Sequence, residues 1–94
     1  MLYVVKARFR PGTEERRAAL AGEFGQHIAQ PLLRIRLLGA LLDSEGRRHG
    51  ILMLMEAEGP EHVRSFIDQS PFAREKLYKD LDIDELQIEA GSLG

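Results

Sequence analysis

Apolar residues concentrate between Arg34 and Glu58, RIRLLGALLDSEGRRHGILMLMEAE. Two apolar arms flank the polar stretch Ser44-Glu45-Gly46-Arg47-Arg48, a pattern that predicts two strands folded back on each other. Pairing Leu42 with Gly50, Ala40 with Leu52 and Leu38 with Leu54 sets Arg36 against Glu56 and Arg34 against Glu58. Opposite charges then face each other twice across the hairpin, which favours that register.

The flanking segments follow the same logic. In Leu2–Phe9, Tyr3, Val5, Ala7 and Phe9 alternate with Leu2, Val4, Lys6 and Arg8, the period of a strand, and Arg10-Pro11-Gly12 stops it. Thr13 is placed to cap a helix, with Glu14 and Glu15 in its first turn where the dipole favours acids. Leu20, Ala21, Phe24, His27 and Ile28 form a stripe at helical spacing. This helix is expected to run to about Gln30, before Pro31. Gly59-Pro60 opens a second helix buried through Val63, Phe66 and Ile67, and Ser70-Pro71 breaks it. Pro71–Tyr78 is predicted as a short helical turn. Asp80–Asp84 is then a polar lead into a last strand, Glu85–Ala90, in which Leu86, Ile88 and Ala90 alternate with Glu85, Gln87 and Glu89.

Strand, helix, strand, strand, helix, strand predicts an α+β domain of the ferredoxin-like plan. It has a four-stranded antiparallel sheet in order 4-1-3-2 with both helices on one face. The helix side is expected to carry Tyr3, Val5, Ala7, Phe9, Leu33, Ile35, Leu37, Ile51, Met53, Met55, Leu86 and Ile88. The other side keeps Leu2, Val4, Leu38, Ala40, Leu42, Leu52 and Leu54. A sheet with one wet face alternates apolar and polar residues, and Ile51–Met55 does not. The open face is therefore expected to bury itself against a second copy, giving a homodimer.

Bulk composition narrows the function. Ninety-four residues suit a single domain, residues 1–94. Thirteen basic and 15 acidic residues give a net charge of −2, which disfavours nucleic acid as a partner. There is no cysteine, so disulfides, thiolate metal sites and thiol nucleophiles are excluded. The N-terminal MLYVVKARF lacks the features of a signal peptide and no apolar run is long enough for a membrane helix, so a cytoplasmic location is expected.

Candidate chemistry is sparse. His27 lies at the margin of the first helical stripe and is the one candidate general base. Asp43 closes the second strand, where turns favour aspartate. His49 is expected to face solvent. His62 has no partner in view. The three histidines lack ligand spacing, and Asp80, Asp82, Asp84 and Glu85 lack the spacing of a calcium loop, so no metal and no cofactor is expected. Lys6, Arg8, Arg34 and Arg36 project to the open face by strand alternation. There Lys6, Arg8 and Arg36 could hold a small anion, unless Glu56 and Glu58 neutralise the arginines and Glu85 and Glu89 reach Lys6 and Arg8.

The segments MLYVVKAR, LLGALLDSEG, EAEGPEHVRSFIDQSPF and Asp82–Ile88 together resemble the YCII family of YciI-like proteins along nearly the whole chain. The resemblance implies a ferredoxin-like fold and a dimeric α+β barrel. One branch of that family dehydrochlorinates chlorinated hydroxyquinones. Its catalytic pair is a histidine on the first helix and an acid closing the first strand. In this chain those positions hold Phe24 and Phe9, and the family proline before LLD and aspartate before Pro71 are Ala40 and Ser70. A gapped alignment brings His27 to the histidine position without an acidic partner. The expectation is therefore a small-molecule-binding or non-catalytic homodimer. The alternative is a cofactor-free lyase or dehydrochlorinase-like enzyme acting on a small anionic or phenolic substrate.

Overall fold

A computed structural model describes residues 1–93. The elements are β1 (Leu2–Phe9), α1 (Glu14–Ala29), β2 (Arg34–Leu42), β3 (Arg48–Glu56), α2 (Pro60–Asp68), α3 (Pro71–Arg74) and β4 (Tyr78–Glu85). The strands form one antiparallel sheet in the order β2-β3-β1-β4. This is the ferredoxin-like plan, with the expected neighbours for every strand.

One face of the sheet is sealed by the helices. Tyr3, Val5, Ala7 and Phe9 of β1 and Ile51, Met53 and Met55 of β3 pack with Leu20, Phe24, Val63, Phe66, Ile67, Phe72 and Leu77. The stripe at Val63, Phe66 and Ile67 is buried as its helical spacing requires. Thr13 occupies the cap position of α1, but its hydroxyl donates to the Arg10 carbonyl (2.7 Å) and accepts from Arg17 Nε (3.1 Å) instead of capping an amide. Ser70 does cap α3, accepting from the Ala73 amide at 3.3 Å.

Three expectations are corrected. The last strand is Tyr78–Glu85, seven residues before the predicted start. Leu81 and Ile83 are the residues that pack on the core, and Asp80, Asp82 and Asp84 alternate with them. Aspartate is a poor strand former, yet an edge strand tolerates it because its outward side meets water. Leu86 and Ile88 therefore lie beyond the sheet, and the carboxylates opposite Arg8 and Lys6 are Asp80 and Asp82 rather than Glu85 and Glu89.

The hairpin register also differs. Gly39 meets Leu52, Leu38 meets Met53, Leu37 meets Leu54 and Arg34 meets Glu56. Two bulges explain this: His49 is an extra residue on β3, and Arg36 an extra residue on β2. A bulge breaks the period of two. Leu38 and Ala40, opposite the buried Met53 and Ile51, thus lie on the helix side, and Leu37 on the open side, the reverse of the prediction. Alternation from Ala40 carries Leu42 to the helix side as well. His49, expected to face solvent, is partly buried in its bulge.

The open face retains Leu2, Val4, Leu52 and Leu54 as expected, joined by Leu37 and Leu41. Leu37 is 48% exposed and Leu38, on the opposite side of the same strand, 40%. The segment after β4 crosses the end of this face, where Ile88, Gly91, Ser92 and Leu93 share a shallow pocket with Leu2, Arg36 and Glu56. Among the described residues no helix is long and apolar enough to cross a membrane.

Candidate functional site

The sequence candidates fall in separate places. His27 is buried in the helix layer, its ring stacked on Phe66 at 4.4 Å and its Nε2 2.7 Å from the Phe66 carbonyl oxygen. A ring nitrogen in that position donates its proton to the carbonyl, tying α1 to α2. Asp43 organises the hairpin turn: its Oδ1 accepts from the Glu45 and Arg47 amides, both at 2.9 Å. Those bonds, the Arg47 amide foremost, hold its carboxyl below the ordinary range. His62 is exposed on α2. Among the described residues no cluster of histidine and carboxylate side chains could hold a metal ion.

On the open face the cations are largely matched. Arg8 reaches Asp80 at 3.4 Å, and Arg34 and Arg36 share the single carboxylate of Glu56 at 3.3 Å each. Glu58 lies beyond the strand and makes neither predicted pair. Lys6 is exposed opposite Asp82, with no ion pair among the described residues.

A better-formed cavity lies on the other side of the sheet. A cleft of about 440 Å³ opens between α1 and the hairpin, walled by Phe9, Phe24, Phe72 and Leu38 with Arg17 and Arg48 at its rim. That volume is within the range of small-molecule sites. A larger depression of about 770 Å³ between α2 and β4 is a wide surface groove lined by Arg64, Asp68 and Asp82.

The cleft is built from the aromatic residues of four elements. Phe24 stacks on Phe72 at 4.4 Å, Phe72 meets Phe9 edge to face at 5.6 Å, and Tyr78 stacks on the other side of Phe9 at 5.6 Å. Arg17 lies 4.2 Å over the Phe9 ring. Its side chain is only 12% exposed, and its one carboxylate neighbour, Glu14, is 3.7 Å away. Cation–π contact and the Thr13 hydroxyl hold the guanidinium flat against the aromatic wall. Arg48 makes no ion pair among the described residues. Sequence reasoning singled out Phe9 and Phe24 but missed Arg17, Arg48 and Phe72. Arg17 stands one turn after Thr13 beside the apolar stripe, and that spacing was the available signal.

Tyr78 supports this wall at a cost. Its hydroxyl is sealed from water without a well-formed hydrogen bond. The nearby Ser70 hydroxyl eases ionisation slightly, but burial dominates and pushes the phenol up to about 12. The neutral phenol is complete below the ordinary value near 10, and its contribution is lost as pH climbs through about 12, a loss of roughly 2–3 kcal/mol. Tyr78→Phe is expected to stabilise the fold by about 1 kcal/mol at pH 7 and to flatten the decline above pH 10. Urea midpoints across pH 7–11.5 check both.

No protein-family model matches the chain, and no curated protein sequence does. Solved structures do. The chain is similar to the 5-chloro-2-hydroxyhydroquinone dehydrochlorinase of Burkholderia phenoliruptrix AC1100, solved with 2,5-dihydroxybenzoquinone. The TM-score is 0.84, with 22% identity over 93% of this chain and 94% of that one. It is also similar to Rv0793 of Mycobacterium tuberculosis (TM-score 0.57, 16% identity, 97% of this chain and 100% of that one). A third is an antibiotic biosynthesis monooxygenase-like protein from Bacteroides thetaiotaomicron VPI-5482 (0.56, 16%, 96% and 90%). At these identities what the chain shares with all three is the fold: a ferredoxin-like α+β sheet with its helices on one face.

Proposed function

We infer that this protein is a homodimer that binds a small, flat, anionic aromatic molecule without transforming it. The observation that carries this reading is the cleft: three phenylalanines and two guanidiniums with unspent hydrogen-bond donors around a cavity of about 440 Å³. Flat rings stack favourably between aromatic walls, and arginine matches a carboxylate or phenolate. Catalysis is disfavoured because the positions that the family resemblance assigns to an acid and a histidine are Phe9 and Phe24, both on the cleft wall. His27 has its Nε2 committed to the Phe66 carbonyl. The dehydrochlorinase solved with a dihydroxybenzoquinone supports a ring-shaped occupant for this fold.

Titration calorimetry against simple aromatic carboxylates and phenolates tests the reading. Arg17→Ala and Arg48→Ala are each expected to weaken binding about 10- to 100-fold, the loss of a charged hydrogen bond of roughly 1.5–3 kcal/mol. A second reading places the anion on the open face at Lys6, Arg8 and Arg36, and the unpaired, exposed Lys6 favours it. Lys6→Ala and Arg8→Ala separate the two. If these variants lose affinity and the cleft variants do not, the cleft assignment is wrong. Turnover of any bound phenol by the parent protein would sink the non-catalytic reading.

A further inference from the structure

Two surfaces of this protomer are unfinished, and they match. The first is the outer edge of β2. Leu37 through Leu42, LLGALL, carries no charge, no proline and no covering element. Leu37, Leu38 and Leu42 are 48%, 40% and 59% exposed, and they lie on both faces of the strand. A second copy laid flat on the open face covers Leu37 and cannot reach Leu38 or Leu42. The opposite edge of the sheet is protected by Asp80, Asp82 and Asp84, the usual defence of a free edge. β2 has no such defence.

The second is the segment Leu86–Ala90. Its apolar residues Leu86, Ile88 and Ala90 alternate with Gln87 and Glu89, the period of a strand, yet it joins no strand of its own protomer. The Leu86 amide donates to the Leu2 carbonyl at 2.8 Å, and Ile88 remains 44% exposed. Its own β2 is out of register with it. From β4 the chain must cross β1 and β3, three interstrand spacings or roughly 14 Å, and the tail reaches Arg36 only with Gly91, Ser92 and Leu93. No residues then remain to run along Leu37–Leu42.

We propose that in the homodimer the C-terminal segment Leu86–Ala90 of each protomer pairs with the free edge of β2 in the partner copy. The lengths agree, five residues against the six of LLGALL. Alternating side chains of an added strand cover both Leu37 and Leu38, which a flat partner cannot do. Charge agrees as well: Arg34 and Arg36 share the one carboxylate of Glu56, so this end of β2 carries an excess positive charge that Glu89 neutralises. The added strand also adjoins Leu38, a wall of the aromatic cleft, so the partner completes the ligand site.

This rests on the homodimer reading, and the experiment distinguishes the two. The chain has no cysteine, so introduced thiols report without background. Full-length Ala40→Cys and full-length Gln87→Cys carrying a mass tag, both altered at exposed positions, are mixed and treated with a short bismaleimide. Light scattering is run on the same mixture. The expected result is a dimer in which the greater part of the cross-linked product joins one Ala40→Cys chain to one Gln87→Cys chain. A dimer that gives no such product, or a double variant that cross-links only within single chains, overturns the strand exchange and leaves the dimer standing. A monomer overturns both.

Discussion

Gly50→Ala is expected to destabilise the fold by about 3 kcal/mol or more, as a large fall in the urea midpoint. Gly50 is buried in β3 opposite Arg8, beside the His49 bulge. A methyl group there would lie 2.3 Å from the Ala7 carbonyl oxygen and 3.3 Å from the Arg8 Cα. Both are backbone atoms of a central strand, so relief requires moving the β1–β3 ladder rather than turning a side chain. Overpacking typically costs about 1–3 kcal/mol and more where nothing yields. A domain of this size holds roughly 5–14 kcal/mol in total, so much of its margin is lost. Gly22→Ala is the control. A methyl there meets nothing within 4 Å, and in the exposed face of α1 it should stabilise by about 1 kcal/mol. If both variants shift the midpoint equally, close backbone approach at Gly50 is not the cause.

Leu52→Glu is expected to convert the protein from dimer to monomer while leaving the protomer folded. Leu52 is half-buried at the centre of the open face, between Lys6 on β1 and Gly39 on β2. The neighbouring Lys6 offers the new carboxylate a counter-ion within the protomer, so folding tolerates it. A face-to-face dimer buries this position twice. Each lost leucine contact is worth about 1.5–3 kcal/mol, or roughly 3–6 kcal/mol per dimer. Dissociation should strengthen about 10²- to 10⁴-fold. Light scattering across the micromolar range reads this directly. A variant still dimeric at the concentrations where the parent is dimeric shows that the interface lies elsewhere.

The strands, helices and sheet order were legible because most segments repeat at a clean period. Leu2–Phe9, the α1 stripe and Val63-Phe66-Ile67 all report their buried side. Two signals misled. Asp80, Asp82 and Asp84 have low strand propensity, and that masked the genuine alternation with Leu81 and Ile83. The strand was placed instead on Leu86–Ala90, which has the better composition and no neighbour in its own protomer. The bulges at Arg36 and His49 were invisible, since an extra residue leaves composition unchanged and merely exchanges the faces of Leu37 and Leu38. For the site, residue identity at Phe9 and Phe24 pointed to the right place. The cations did not stand out, because Arg17 and Arg48 are distant in sequence and meet only when α1 folds over the hairpin.

The paired bulges of the hairpin have a further consequence. The offset gained at His49 is given back at Arg36, so the strand ends stay aligned whatever happens between them. The five residues from Leu37 to Leu41 behave as a cartridge held between two swivels. Losing both bulges together would turn the cartridge over, trading the leucine shown to the cleft for the one shown to the opposite side, without disturbing the turn, the helices or the chain ends. Descendants of this chain could thus refit cleft and interface together through two small backbone edits, where point substitutions would need many.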